Sequence, residues 1–343
     1  MFDEVLPQSA FAPARRMAFG VPESQTIAAV RRAFRRGDRQ DRYPATSPSG
    51  ERWKMKIGVI LGGTRGIGRA LVERVAEHWG KDGLVYLTAR DDAAGAAVAG
   101  DLRCKGLPVD HLLFDLADKA SAARLATLLL KRHGGIDCLV QNGAYMPRAG
   151  VPASLDARPM IEANNHGTLR VLRAFLPILR PNGRIVVVAS SFGTLSNLPQ
   201  ALRSSFDTRK GDPGAIDRLM EHYVEAAEAG TAQSEGWPEW VNIPSKVGQV
   251  AVTRAFAFEA RQSGSLPEGA LINCANPGLT LTDATRPFMD SIFKGQVAQS
   301  PEQAAEPIAW LATRPAGVTE PYGELVDHQN VIPFGDASAS DES

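Results

Sequence analysis

A short apolar, β-branched run, Ile57–Leu61, ends in Gly62-Gly63-Thr64-Arg65-Gly66-Ile67-Gly68 and passes directly into a segment carrying Ile67, Ala70, Leu71, Val75 and Trp79 at helical spacing. A continuous apolar run bounded by glycines reads as a buried parallel strand. Glycines at the junction allow a tight turn and a close approach of the backbone to a ligand. The helix that follows offers unpaired N–H groups and a partial positive charge, which together suit a phosphate. A glycine motif alone is weak; between a strand and a helix it points to a dinucleotide site. Gly62, Thr64, Arg65, Gly66, Ile67 and Gly68 are therefore the first candidate cofactor contacts.

The alternation continues. Leu84–Thr88, Val109–Phe114, Cys138–Gln141, Arg184–Ala189, Leu271–Asn276 and Gly323–Asp327 read as strands. Leu125–His133, Ile161–Leu179 and Lys246–Ser263 read as helices. Strands alternating with helices predict a Rossmann-type α/β domain: a doubly wound parallel sheet with helices on both faces, over residues 55–335. Right-handed crossovers bring the carboxyl ends of the strands to one edge, where ligands bind. The pattern breaks at about 195–240, where Asp212–Ala229 is amphipathic with Ile216, Leu219, Met220, Tyr223 and Val224 on one face. Lying after the fifth strand, this insertion is read as a lid or wall of the substrate pocket rather than decoration.

Formal net charge is +0, so bulk electrostatics do not point to nucleic acid. No apolar run reaches membrane-spanning length, and no membrane partner is expected. Cys104, Cys138 and Cys274 form no CxxC pair, so neither a disulfide framework nor a metal site is expected, and a reducing, cytoplasmic setting fits. Residues 1–54 are rich in arginine and read as a disordered extension, as do residues 336–343 as a tail. Two further readings stay open for the first segment: organelle targeting, opposed by its acidic residues, and a natural start at Met55.

An acid at the end of the second strand would bond a ribose 2′-hydroxyl. This chain has Ala89-Arg90 there, and Arg65 lies within the glycine loop. Two guanidinium groups at that place favour a 2′-phosphate, and hence NADP(H). Asp91 and Asp92 are the competing feature.

These residues resemble the short-chain dehydrogenase/reductase family. Gly62, Gly66 and Gly68 match its GxxxGxG spacing; Asp115-Leu116 resembles its adenine-contacting pair. Asn142 matches one position of its Asn-Asn-Ala-Gly segment, and Asn164 lies where its catalytic helix carries asparagine. Ser191 matches the catalytic serine, Lys246 the lysine that holds the nicotinamide ribose, and Pro277-Gly278 with Thr280 the segment that clamps the carboxamide. Within the family, Glu235-Gly236-Trp237-Pro238 and the 51 positions from Ser191 to Asn242 resemble the carbonyl reductases with a helical insertion. That subgroup implies a monomer acting on a small molecule. Phe206, Met220, Trp237, Phe288 and Phe293 suit either an apolar pocket or the core.

The family signature is Tyr-x-x-x-Lys, and this chain reads Asn242-Ile243-Pro244-Ser245-Lys246. The resemblance gives the tyrosine the role of proton donor; an amide donates a hydrogen bond but has no titrating proton. Pro244 lacks an N–H, so the local turn is expected to differ. Three explanations stay open. Tyr145, or a water held by Ser191 and Lys246, supplies the proton. The acceptor needs none, as with an iminium ion or an activated alkene. Or the chemistry is not redox, and the protein is a cyclase, isomerase, dehydratase or binding module. His166, two residues after Asn164, is read as a core or interface histidine. The reading is thus an NADPH-dependent reductase with Ser191, Lys246, Asn164 and Asn242 at its centre.

Overall fold

A computed structural model describes residues 55–335; the expectations for residues 1–54 and 336–343 lie outside them. The elements are β1 (Lys56–Leu61), α1 (Gly66–Trp79), β2 (Gly83–Ala89), α2 (Asp92–Cys104), β3 (Val109–Leu113), α3 (Ser121–His133), β4 (Ile136–Gln141) and α4 (Ala153–Ile161). A π turn (Glu162–His166) leads into α5 (Gly167–Phe175) and β5 (Leu179–Val188). Then come α6 (Gln200–Arg203), α7 (Pro213–Ala229), α8 (Asn242–Gln262), β6 (Leu271–Asn276), α9 (Pro301–Ala312), β7 (Leu325–Asp327) and β8 (Asn330–Ile332). The sheet order is β3-β2-β1-β4-β5-β6-β7-β8. Every pairing is parallel except β7 with β8. The order reverses between β1 and β4, which opens the crevice where such sheets take ligands.

Side chains alternate across the strands and feed two cores. Val59 packs in one with residues of α3, α5, α7 and α8; Ile60 packs in the other with residues of α1, α2 and α9. A buried aliphatic side chain of this kind contributes about 1.5–3 kcal/mol, so the alternation fixes which helix lies on which face.

The end of the insertion, Glu239 and Trp240, lines a cavity, but its long helix, α7, does not wall it and instead braces the helix behind the site. Ile216, Met220, Tyr223 and Val224 of α7 are buried in the larger core. Asp212 caps the helix by accepting from the Ala215 N–H at 2.9 Å, and Gly230 ends it with φ 76°. A Cβ on Gly248 of α8 would sit 2.6 Å from Met220 Sδ and 2.2 Å from Asn165 Nδ2, so glycine is what lets α7 and the π turn close on α8. His166 lies between two carboxylates of α7, Nδ1 at 2.5 Å from Asp217 and Nε2 at 3.2 Å from Glu221. It is thus an interface histidine. Burial opposes its protonation, but Asp217, Glu162 and Glu221 outweigh that and raise its pKa.

Several elements depart from the sequence reading. The expected helix Ile161–Leu179 is broken by the π turn and by a 3-10 turn at Leu176–Ile178. Helices α2, α4 and α9 and the antiparallel β8 were not anticipated.

Candidate active site

The glycine loop is packed to the limit of what backbone allows. A Cβ on Gly68 would lie 2.0 Å from the Gly62 oxygen and 2.6 Å from Asn142 Nδ2. One on Gly62 (φ 78°) would lie 2.9 Å from Gly143 Cα. Asn142 Nδ2 donates to the Gly62 oxygen at 3.0 Å, tying the loop after β1 to the loop after β4 across the crevice. Thr88 Oγ1 accepts from the Gly62 N–H at 3.0 Å, fixing the loop to β2. Arg65 precedes α1 and leaves that helix without a side-chain cap, so its first N–H groups are open to an anion. This cradle fits a pyrophosphate.

Arg65 of the glycine loop and Arg90, Asp91 and Asp92 after β2 divide clearly. Arg65 and Arg90 are exposed. Arg65 meets Asp283 at 3.2 Å in an exposed pair. Asp91 caps α2 by accepting from the Ala94 N–H at 2.8 Å, and Asp92 lies 3.1 Å from His111 Nε2. Asp115 holds its own turn by accepting from the Ala117 N–H at 3.0 Å, and Leu116 packs against Gly167. After β6, Gly278 has φ 68°, and buried Thr280 Oγ1 donates to the Pro277 and Gly278 oxygens. Thr282 lies near Gly66, so this segment borders the cradle.

Lys246 and Asn242 stand one turn apart at the start of α8, 6% and 5% exposed. Helix α8 begins at Asn242 itself, and Pro244 falls in its first turn, where a missing N–H has no intrahelical partner to lose. The helix therefore accommodates the proline without losing a hydrogen bond to it. Asn242 Oδ1 is buried without a hydrogen-bond partner among the described residues. Burial pulls the Lys246 ammonium down to about 8, and its Nζ donates to Gln249 Oε1 at 2.9 Å. Asn164 sits in the π turn with its amide locked at both ends. Its Oδ1 accepts from the Tyr145 N–H at 2.8 Å, and Nδ2 donates to the Tyr145 oxygen at 2.9 Å and to Ser245 Oγ at 3.1 Å. Ser191 is exposed at the end of β5, its N–H donating to Asn276 Oδ1 at 2.9 Å.

Tyr145 is not free to replace the family tyrosine. Its hydroxyl donates to Asp156 Oδ1 at 2.8 Å, and burial together with that carboxylate raises its pKa, which weakens it as an acid. Of the apolar candidates, Phe206, Met220 and Trp237 are core. Phe288 and Phe293 instead join Trp240, with Phe192 against Trp240 and Phe293. Trp240, Val241 and Phe288 line a cavity of about 220 Å³, with Arg148, Val151 and Glu239 on its other parts. None of α7 reaches it. Gln249, Thr168 and Trp240 were missed by the sequence reading. Gln249 had a signal: it is a lone amide in the apolar run Val247–Val252, one turn beyond Lys246.

The sequence model of the short chain dehydrogenases matches residues 56–204. Carbonyl reductase [NADPH] 1 of Bos taurus is 30% identical over 80% of this chain and 97% of its own length; that of Pongo abelii is 31% identical over 81% and 98%. Among solved structures, salutaridine reductase from Papaver somniferum superposes with a TM-score of 0.67 at 22% identity, covering 79% of this chain and 99% of its own. Menthone neomenthol reductase from Mentha piperita gives 0.64, also at 22%, over 80% and 99%. These likenesses establish the same fold. The chain belongs to the short-chain dehydrogenase/reductase family, and its sequence is carbonyl-reductase-like. Among the described residues, no helix is long and apolar enough to cross a membrane, and no cluster of three or more His, Cys, Asp or Glu is placed to hold a metal.

Proposed function

We propose that this chain is an NADPH-dependent reductase of a bulky carbonyl, quinone, activated alkene or imine, with a proton route that bypasses the missing tyrosine. Two observations support the reading: a glycine cradle with no room for a single added Cβ at Gly68, and a buried Lys246 on α8 that burial pulls to about 8. Gly62, Thr64, Gly66, Ile67 and Gly68 take the pyrophosphate, and Asp115, Leu116 and Asn142 border the adenosine half. Arg65 and Arg90 take the 2′-phosphate; the commitment of Asp91 to a helix cap and of Asp92 to His111 supports this choice over NADH. Pro277, Gly278 and Thr280 hold the carboxamide end, and Lys246 the ribose. The relatives' names, carbonyl reductase [NADPH] 1 and 3, agree with this choice.

NADPH, when bound, supplies a hydride. The chain's own residues then manage the charge left on the acceptor. The Asn242 amide donates a hydrogen bond to it, and Ser191 orients it. Lys246 is the titrating group, and its proton reaches the acceptor through water held with Ser191. Turnover therefore falls as pH rises through about 8, where Lys246 loses its proton. The aromatic group of Trp240, Phe288 and Phe293 supports a bulky, largely apolar substrate.

The test is NADPH consumption against quinones, aldehydes, ketones and cyclic imines, with Asn242→Tyr alongside. Turnover by the wild type supports the proposal. NADPH bound but consumed by neither protein overturns it in favour of non-redox chemistry. Turnover by Asn242→Tyr alone also overturns it, leaving a competent scaffold whose natural chemistry lies elsewhere.

A further inference from the structure

Beneath the site, Lys246 leads into a run of buried polar side chains, Gln249, Thr168 and Gln141, that the proposed function does not use. Lys246 Nζ donates to Gln249 Oε1 at 2.9 Å. Gln249 Nε2 reaches Thr168 Oγ1 at 3.4 Å, and Thr168 Oγ1 donates to the Asn164 oxygen at 2.6 Å. Gln141 Nε2 donates to the same hydroxyl at 2.6 Å. Gln249 and Thr168 are fully buried.

The direction of this chain is dictated by chemistry. An ammonium has donors only, so it must face the carbonyl oxygen of Gln249. That turns Nε2 toward Thr168. The threonine hydroxyl has a single proton, already given to the Asn164 carbonyl, and its lone pairs are left to receive the two glutamines. No second orientation of Gln249 satisfies both of its neighbours.

We propose that Gln249 is a positioning residue that anchors the Lys246 ammonium, through Thr168, to the same π turn that carries Asn164. This rests on the reading above in which Lys246 is the working cation of the site. Gln249 opposes the burial that drives the lysine toward its neutral form. The other group acting on Lys246 is the Cys274 thiol on β6, which burial pushes up to about 12 and which is therefore uncharged near pH 8. Beyond it, Arg254 and Glu324 are paired with each other at 2.5 Å. The carbonyl dipole of Gln249 is thus what holds the charge in place.

The experiment follows the 13Cε resonance of Lys246 in the full-length, lysine-labelled protein, assigned as the signal lost in Lys246→Arg. The wild type is expected to titrate near 8. Gln249→Leu removes the acceptor and should lower the midpoint by about one unit; Gln249→Glu, the same shape with a charge, should raise it by about as much. If Gln249→Leu does not fold, Gln249→Glu carries the test alone. Wild-type midpoints in the folded variants overturn the proposal. The titration needs no turnover, so a protein that shifts as expected but consumes no NADPH refutes only the reductase reading.

Discussion

At the scale of residues, the glycine loop is the least forgiving part of the molecule. Gly68→Ala places a methyl group 2.0 Å from the Gly62 oxygen, which is backbone and cannot rotate aside. The expected result is a folded protein destabilised by about 1–3 kcal/mol in denaturant melts, with dinucleotide affinity lost in a binding titration. Arg65 and Arg90 differ in kind: both are exposed, and removing either leaves the packing intact. Arg90→Ala should weaken NADPH by about tenfold and leave NADH unchanged. Equal losses for both cofactors would mean that Arg90 does not read the 2′-phosphate.

At the scale of elements, the joint between α7 and the π turn is a pH-sensitive one. His166 has a raised pKa in the folded chain, so its contribution is present below the ordinary histidine value of 6.5. It is lost as pH rises through the folded value. Stability should therefore decline over that interval in the wild type, and the corresponding decline should be missing from His166→Gln when denaturant midpoints are compared at pH 6 and pH 8.5. Sequence made much of this layer readable. The amphipathic stripe of Asp212–Ala229 predicted α7 correctly, because Ile216, Met220, Tyr223 and Val224 do face the core. It did not reveal which core: packing behind α8 depends on Gly248, whose missing Cβ is a contact between distant elements. Helix α9 was legible through its capping box, Ser300 with Gln303, and its Pro301 start, yet its short apolar pattern was passed over. The break at Glu162–His166 was not legible, since a π turn needs no special residue. In the candidate site, Asn142, Asn164, Ser191 and Lys246 were singled out by the family resemblance rather than by pattern; Tyr145 looked available because the buried acid that takes its hydroxyl, Asp156, lies 11 positions away on α4.

At the scale of the whole molecule, the reversal of strand order between β1 and β4 brings together groups far apart in the chain. One edge of the sheet carries the glycine loop, Asn142, Ser191 and the Pro277–Thr280 segment, while α8 delivers Lys246 and Asn242 beside them. The claim on which the rest of this account depends is that this edge holds NADPH. The direct measurement is calorimetric titration of the purified full-length chain with NADPH and with NADH at pH 7. Saturable binding of NADPH is expected, at least about tenfold tighter than that of NADH. Equal affinities, a preference for NADH, or no binding of either would contradict it.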